Sequence, residues 1–112
     1  MDLIEIPEAF RMAMQVCRFN EIPNALLISN RADGLELRAG LRAALRTMVA
    51  RTMMPSVRLA LVALNPEVVK AFQSLKDLAD DNFIPCGIFS DEETGLAWFA
   101  KLDDGKVTAI RG

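Results

Sequence analysis

Three short apolar runs, Ala25–Ser29, Val57–Leu64 and Phe83–Phe89, are separated by stretches with a helical period. This alternation constrains the fold more than any other feature of the chain. A nearly continuous apolar run suits a strand buried on both faces, whereas apolar residues at i, i+3, i+4 and i+7 mark one side of a helix. Phe10, Ala13, Met14 and Cys17 have that helical spacing, with Glu8, Arg11, Gln15 and Arg18 on the other side and Pro7 suited to the first turn. Leu37, Leu41, Ala44, Leu45 and Met48 form a second stripe, on a helix expected to reach about Thr52 and to stop before Pro55. Asn65-Pro66-Glu67 opens a third helix with a capping side chain, a proline in the first turn and an acid near the positive end of the dipole. Its buried face reads as Val68, Phe72, Leu75 and Ala79. Ser90-Asp91-Glu92-Glu93 reads as a capping box, with Ser90 taking the amide of Glu93, ahead of a short helix that carries Leu96, Trp98 and Phe99. The stretch from Gly105 to Arg111 supplies a last strand.

Strands that alternate with helices through short loops predict parallel pairing with helical crossovers. The expected fold is a single α/β domain over residues 1–112, with a mainly parallel or mixed sheet of about four strands and amphipathic helices. The 112 residues leave room for one such domain, and an apolar content of 52% against 25% charged is that of a folded globule. No internal repeat or low-complexity linker is apparent.

Several kinds of chemistry are excluded by what the chain lacks. It has no histidine, hence no Ser-His-Asp or Cys-His system and no imidazole ligand, and it has no tyrosine. Its glycines never form a phosphate-cradling loop. Asp80-Asp81 and Asp91-Glu92-Glu93 read as helix-end acids rather than metal ligands, so neither a metal nor another cofactor is expected. Cys17 and Cys86 have no CxxC partner and read as buried thiols in a reducing, cytoplasmic setting. The start, Met1-Asp2-Leu3-Ile4-Glu5, is acidic where a signal peptide is basic, and the uncharged run from Leu59 is too short to cross a bilayer. The chain therefore reads as a non-enzyme with no stable membrane insertion.

The net charge of −2 argues against nucleic acid as a partner. The charge is unevenly spread, however. Residues 31–58 hold six arginines against Asp33 and Glu36, and Arg38, Arg42 and Arg46 recur every fourth position along the second helix. That stripe is expected to be solvent-exposed and to attract an acidic protein partner. Trp98 is a further candidate contact, its ring on the core and its N–H near the surface. Met48, Met53 and Met54 read as packing at a helix end.

From Ala25 onward the chain resembles the STAS domain superfamily, in its divergent SpoIIAA-like (anti-sigma-factor-antagonist-like) branch. Leu26-Leu27-Ile28-Ser29 matches the family's apolar strand, and Leu37-Arg38-Ala39-Gly40-Leu41 falls on its Asp-Ser-Ser-Gly-Leu helix opening. A Val-Arg-Leu-Ala-Leu-Val strand follows at Val57–Val62, and then Ile88-Phe89-Ser90-Asp91-Glu92-Glu93 leading to Leu96-Ala97-Trp98-Phe99. The resemblance covers residues 22–102. It implies a regulatory, protein-binding module. Two departures qualify it: Arg38 stands where the family carries its phosphorylated serine, and only Asp2–Ile6 precedes the first helix where the family has a β-hairpin.

Together these readings predict a STAS-like interaction module without phosphorylation control. The short start predicts a homodimer, with a terminal strand (Leu3–Ile6 or Lys106–Ile110) or the first helix in the interface. The alternative is a carrier or sensor of a small apolar or anionic ligand held between the sheet and the arginine-bearing helix.

Overall fold

The computed structural model of the chain describes residues 6–29, 34–51, 56–102 and 105–111. Among them lie α1 (Ile6–Asn20), β1 (Asn24–Ser29), α2 (Gly34–Ala50), β2 (Arg58–Ala63), α3 (Pro66–Asp81), β3 (Cys86–Phe89), α4 (Glu92–Leu102) and β4 (Val107–Arg111). The strands form one sheet in the order β3-β2-β1-β4, and every pairing is parallel. The expected α/β domain is therefore present, with the parallel option taken throughout.

Strand order follows from the crossovers. From β1 through β2 to β3 the chain steps one way across the sheet, and α2 and α3 lie on one face. The return from β3 to β4 reverses direction, so a crossover of the same hand lays α4 on the opposite face. Two apolar clusters result. The larger joins α1, α2 and α3 to Ala25, Leu27, Leu59 and Leu61, while the smaller joins Phe99 to Leu26, Ile28, Ala60 and Val62. Alternate residues of β1 and β2 feed opposite clusters, which is why both strands are apolar throughout.

α4 covers the second face at close range because of Gly95. A Cβ there would stand 3.0 Å from Leu26 Cδ1 and 3.6 Å from the Ala60 Cβ. Phe99, one turn later, completes the buried side of α4, while Leu96 is 40% exposed. The capping residue differs from expectation. Asp91, not Ser90, closes the first turn of α4, its Oδ1 accepting the Thr94 amide at 2.7 Å and the Thr94 hydroxyl at 2.6 Å. The hydroxyl bond, followed by the amide bond, holds the Asp91 carboxyl below its ordinary pKa. The Asn65 cap of α3 is as expected, accepting from the Glu67 and Val68 amides.

The third strand begins at Cys86, three residues later than its apolar run suggests. α3 ends in a pair of reverse bonds, Ile84 N to Ala79 O at 2.9 Å and Phe83 N to Asp80 O at 3.1 Å. This closure needs a left-handed residue between them, and Phe83 occupies it with φ 59°. α1 ends in the same way. Glu21 has φ 53°, and Ile22 N donates to Cys17 O at 3.0 Å. The chain thus uses Asn-X-Ile-Pro twice as a helix-to-strand connection, at Asn20–Pro23 and Asn82–Pro85, a short repeat that periodicity does not expose. Each Asn side chain donates to the carbonyl four residues back, and both proline carbonyls accept amides of β2.

Phe83 is 94% exposed, so its ring gives the fold nothing in exchange for the left-handed backbone. That backbone costs a non-glycine residue ~1–2 kcal/mol, of which glycine's larger unfolded-state entropy returns part. Phe83→Gly is expected to raise stability by about 0.5–1 kcal/mol, read as a higher urea midpoint at unchanged slope.

Candidate functional site

α1 and α2 both run opposite to the parallel strands and lie side by side on the larger cluster. Between them is a groove with a volume of about 490 Å³. Its origin is the small side chains on one flank of α2. Gly40, Ala43, Ala44 and Thr47 fall at i, i+3, i+4 and i+7, and none fills the space between the helix axes. Met48 lies at the base and Phe19, 79% exposed, at one end.

The walls are charged in order. Glu8 stands near the start of α1, Arg11 one turn on and 3.8 Å from it, and Arg18 two turns further. Arg51 closes the groove beside the end of α2. Because the helices run the same way, Arg18 and Arg51 gather at one end with the Phe19 ring, and the acid stands at the other. The site is an open, apolar-floored trough with a basic end.

These are not the arginines that the sequence stripe singled out. Arg42 does not stand free: its Nη1 donates to Ser74 Oγ at 3.1 Å and to Ser74 O at 3.4 Å, tying α2 to α3. Its position, 100° around the helix from Leu41, faces the neighbour opposite α1. Arg46 is exposed on the same side of α2, outside the groove. The side chain of Arg38 lies outside the described residues, as do Leu3, Ile4, Met53 and Met54. Sequence reasoning missed Arg11, Arg18 and Arg51 as a site because they come from two helices. The available signal was the set Glu8, Arg11, Gln15 and Arg18, which lines one flank of α1.

Trp98 is half-buried in an aromatic row on the other face. Its ring centroid lies 5.6 Å from that of Phe89 and 5.4 Å from that of Phe99, both tilted. This geometry holds α4 against β3. Both thiols are buried. Burial pushes Cys86 up to about 12 and also raises Cys17, against a weaker opposing effect of the hydrogen bond with Thr108. Neither is set up as a thiolate.

Among the described residues, no group of three or more His, Cys, Asp or Glu side chains is placed to hold a metal ion. No helix there is long and apolar enough to cross a membrane. The sheet order reverses between β1 and β4, and the segment after β1, residues 30–33, lies outside the described residues. Comparisons with known protein families, with characterised proteins and with solved structures found no match.

Proposed function

We propose that this chain is a non-enzymatic, STAS-like interaction module of the cytoplasm. In this reading it works as a homodimer and takes an acidic, apolar-faced segment of a partner protein in the groove between α1 and α2. The observation that carries the reading is the trough itself: small side chains along its floor, an exposed phenylalanine and two arginines at one end. An amphipathic helix laid in such a trough buries its apolar side on Ala43, Ala44 and Met48 and sets its carboxylates against Arg18 and Arg51. With Arg38 at the position of the STAS serine, no hydroxyl is present there to phosphorylate, so binding is constitutive.

A synthetic amphipathic helix with a leucine face and glutamates at one end, labelled with a fluorophore, provides the test. Its anisotropy is expected to rise on adding the protein and to fall back as salt shortens the screening length below ~8 Å. Arg18→Glu combined with Arg51→Glu is expected to weaken binding at least tenfold with little change in melting temperature. Equal affinity of the double variant, or equal binding of a lysine version of the peptide, would overturn the reading. A volume of about 490 Å³ also suits a small amphiphile. Binding of dodecanoate with no binding of the peptide would favour the ligand-carrier alternative.

A further inference from the structure

We infer that the segment seated between α1 and α2 is a partner helix of about three turns that runs against both of them, with an acidic first turn at the Arg18 and Arg51 end. This rests on the groove reading of the proposed function and adds the occupant's length, direction and charge order.

The length follows from the walls. Glu8, Arg11, Gln15 and Arg18 line the α1 side, and Gly40, Ala43, Thr47 and Arg51 line the α2 side. Each set advances by three or four residues at a step, close to one turn, so the two walls stay level from end to end. Positions 8–18 and 40–51 rise roughly 15–17 Å at ~1.5 Å per residue. The floor between them includes Ala44 and Met48, both buried and apolar. An extended segment would lay unpaired amides and carbonyls on that floor, whereas a helix satisfies its own. A leucine face spaced i, i+4 and i+7 covers the same rise.

Charge order sets the direction. Glu8 is already answered by Arg11 at 3.8 Å, so that end calls for no further charge. Arg18 and Arg51 give the other end two like charges. α1 and α2 also terminate there, at Asn20 and Ala50, so the negative ends of two helix dipoles lie beside the arginines. A helix that starts at this end meets those carbonyls with its own amide end. Glutamates in its first turn then face the guanidiniums and stabilise the helix that carries them. The reverse direction gathers three carbonyl ends and puts the glutamates at the end of their own helix, where they destabilise it. Phe19, 79% exposed at the basic end, offers its ring to an apolar residue just ahead of the first turn.

A nitroxide label reads direction separately from affinity. The probe is an acetylated and amidated peptide of about fifteen residues, long enough to hold some helix by itself. It carries glutamates in its first turn, leucines at i, i+4 and i+7, and alanine and glutamine elsewhere. With the nitroxide on its first residue, the amide NMR signals of Phe19, Asn20 and Arg51 are expected to lose most of their intensity, and those of Glu8 and Gly40 little. Moving the nitroxide to the last residue is expected to reverse the pattern. The two patterns exchanged, or equal losses at both ends from either label, would overturn the direction and leave the groove reading standing. Binding with the losses on α3 or α4 instead would overturn both, as would no binding at all.

Discussion

Phe72→Ala is expected to destabilise the fold by about 3–5 kcal/mol, a large effect for a single substitution. Phe72 is 0% exposed and sits in the cluster that unites α1, α2 and α3 on one face of the sheet. The loss combines the transfer energy of the ring with the cavity left behind. Leu41, Leu45, Leu59, Leu61 and Leu75 belong to the same cluster and are each 1% exposed or less, so little slack exists to refill the space. Domains of this size have ~5–15 kcal/mol in all, so the variant gives up a large share. Urea unfolding followed by Trp98 fluorescence provides the measurement, since Trp98 lies on the opposite face and reports global rather than local loss. Phe72→Leu, which keeps most of the volume, is expected to recover more than half of the deficit. A loss below about 1 kcal/mol for Phe72→Ala would mean that α3 is held by something other than this cluster.

The contrast between α3 and the groove separates what a sequence makes legible from what it does not. α3 carries its own instructions: Asn65 caps it, Pro66 fixes the first turn, and Val68, Phe72, Leu75 and Ala79 recur on one side. Each signal is local, acting within four residues, so the helix and its buried face are legible from residue order alone. The start of the strand after it is not, because Phe83 takes a left-handed conformation that its residue type disfavours. Apolar character alone extends the strand back through a residue that belongs to the helix ending.

The site depends on information of a different kind. Periodicity places Arg42 on one flank of α2 and Arg51 on another, but only the sheet order says which flank meets α1 and which meets α3. In the order β3-β2-β1-β4, α1 and α3 lie on opposite sides of α2. Arg42 is thereby committed to Ser74, while Arg51 joins Arg18 across the groove. A stripe spaced four apart on one helix is visible in the sequence. A pair assembled from the ends of two helices is not.

Asn24→Ala is expected to cost about 2–3 kcal/mol, and to do so by loosening one end of the sheet rather than its centre. Asn24 is polar yet 0% exposed, and both ends of its amide are engaged. Its Nδ2 donates to the carbonyls of Gly105 and Lys106 at 3.3 and 3.2 Å, and its Oδ1 accepts from Arg58 Nε at 2.8 Å. One side chain on β1 thus pins the start of β2 and the approach to β4. The approach is tight: a Cβ on Gly105 would stand 2.5 Å from Pro23 Cγ, so the chain passes there only without a side chain. Alanine at position 24 would remove the partner of two carbonyls and of the Arg58 Nε–H in a part-buried setting. Hydrogen exchange is expected to show the amides of Val107–Arg111 losing protection before those of β2. Asn24→Asp separates the two halves of the latch, since a carboxylate keeps the Arg58 contact but turns acceptors toward the Gly105 and Lys106 carbonyls. Exchange in β4 should therefore rise nearly as much as in Asn24→Ala, with a smaller loss of global stability. Parent-like protection of β4 in Asn24→Asp would show that the carbonyl bonds do not hold the strand in place, and that its attachment rests on pairing with β1 alone.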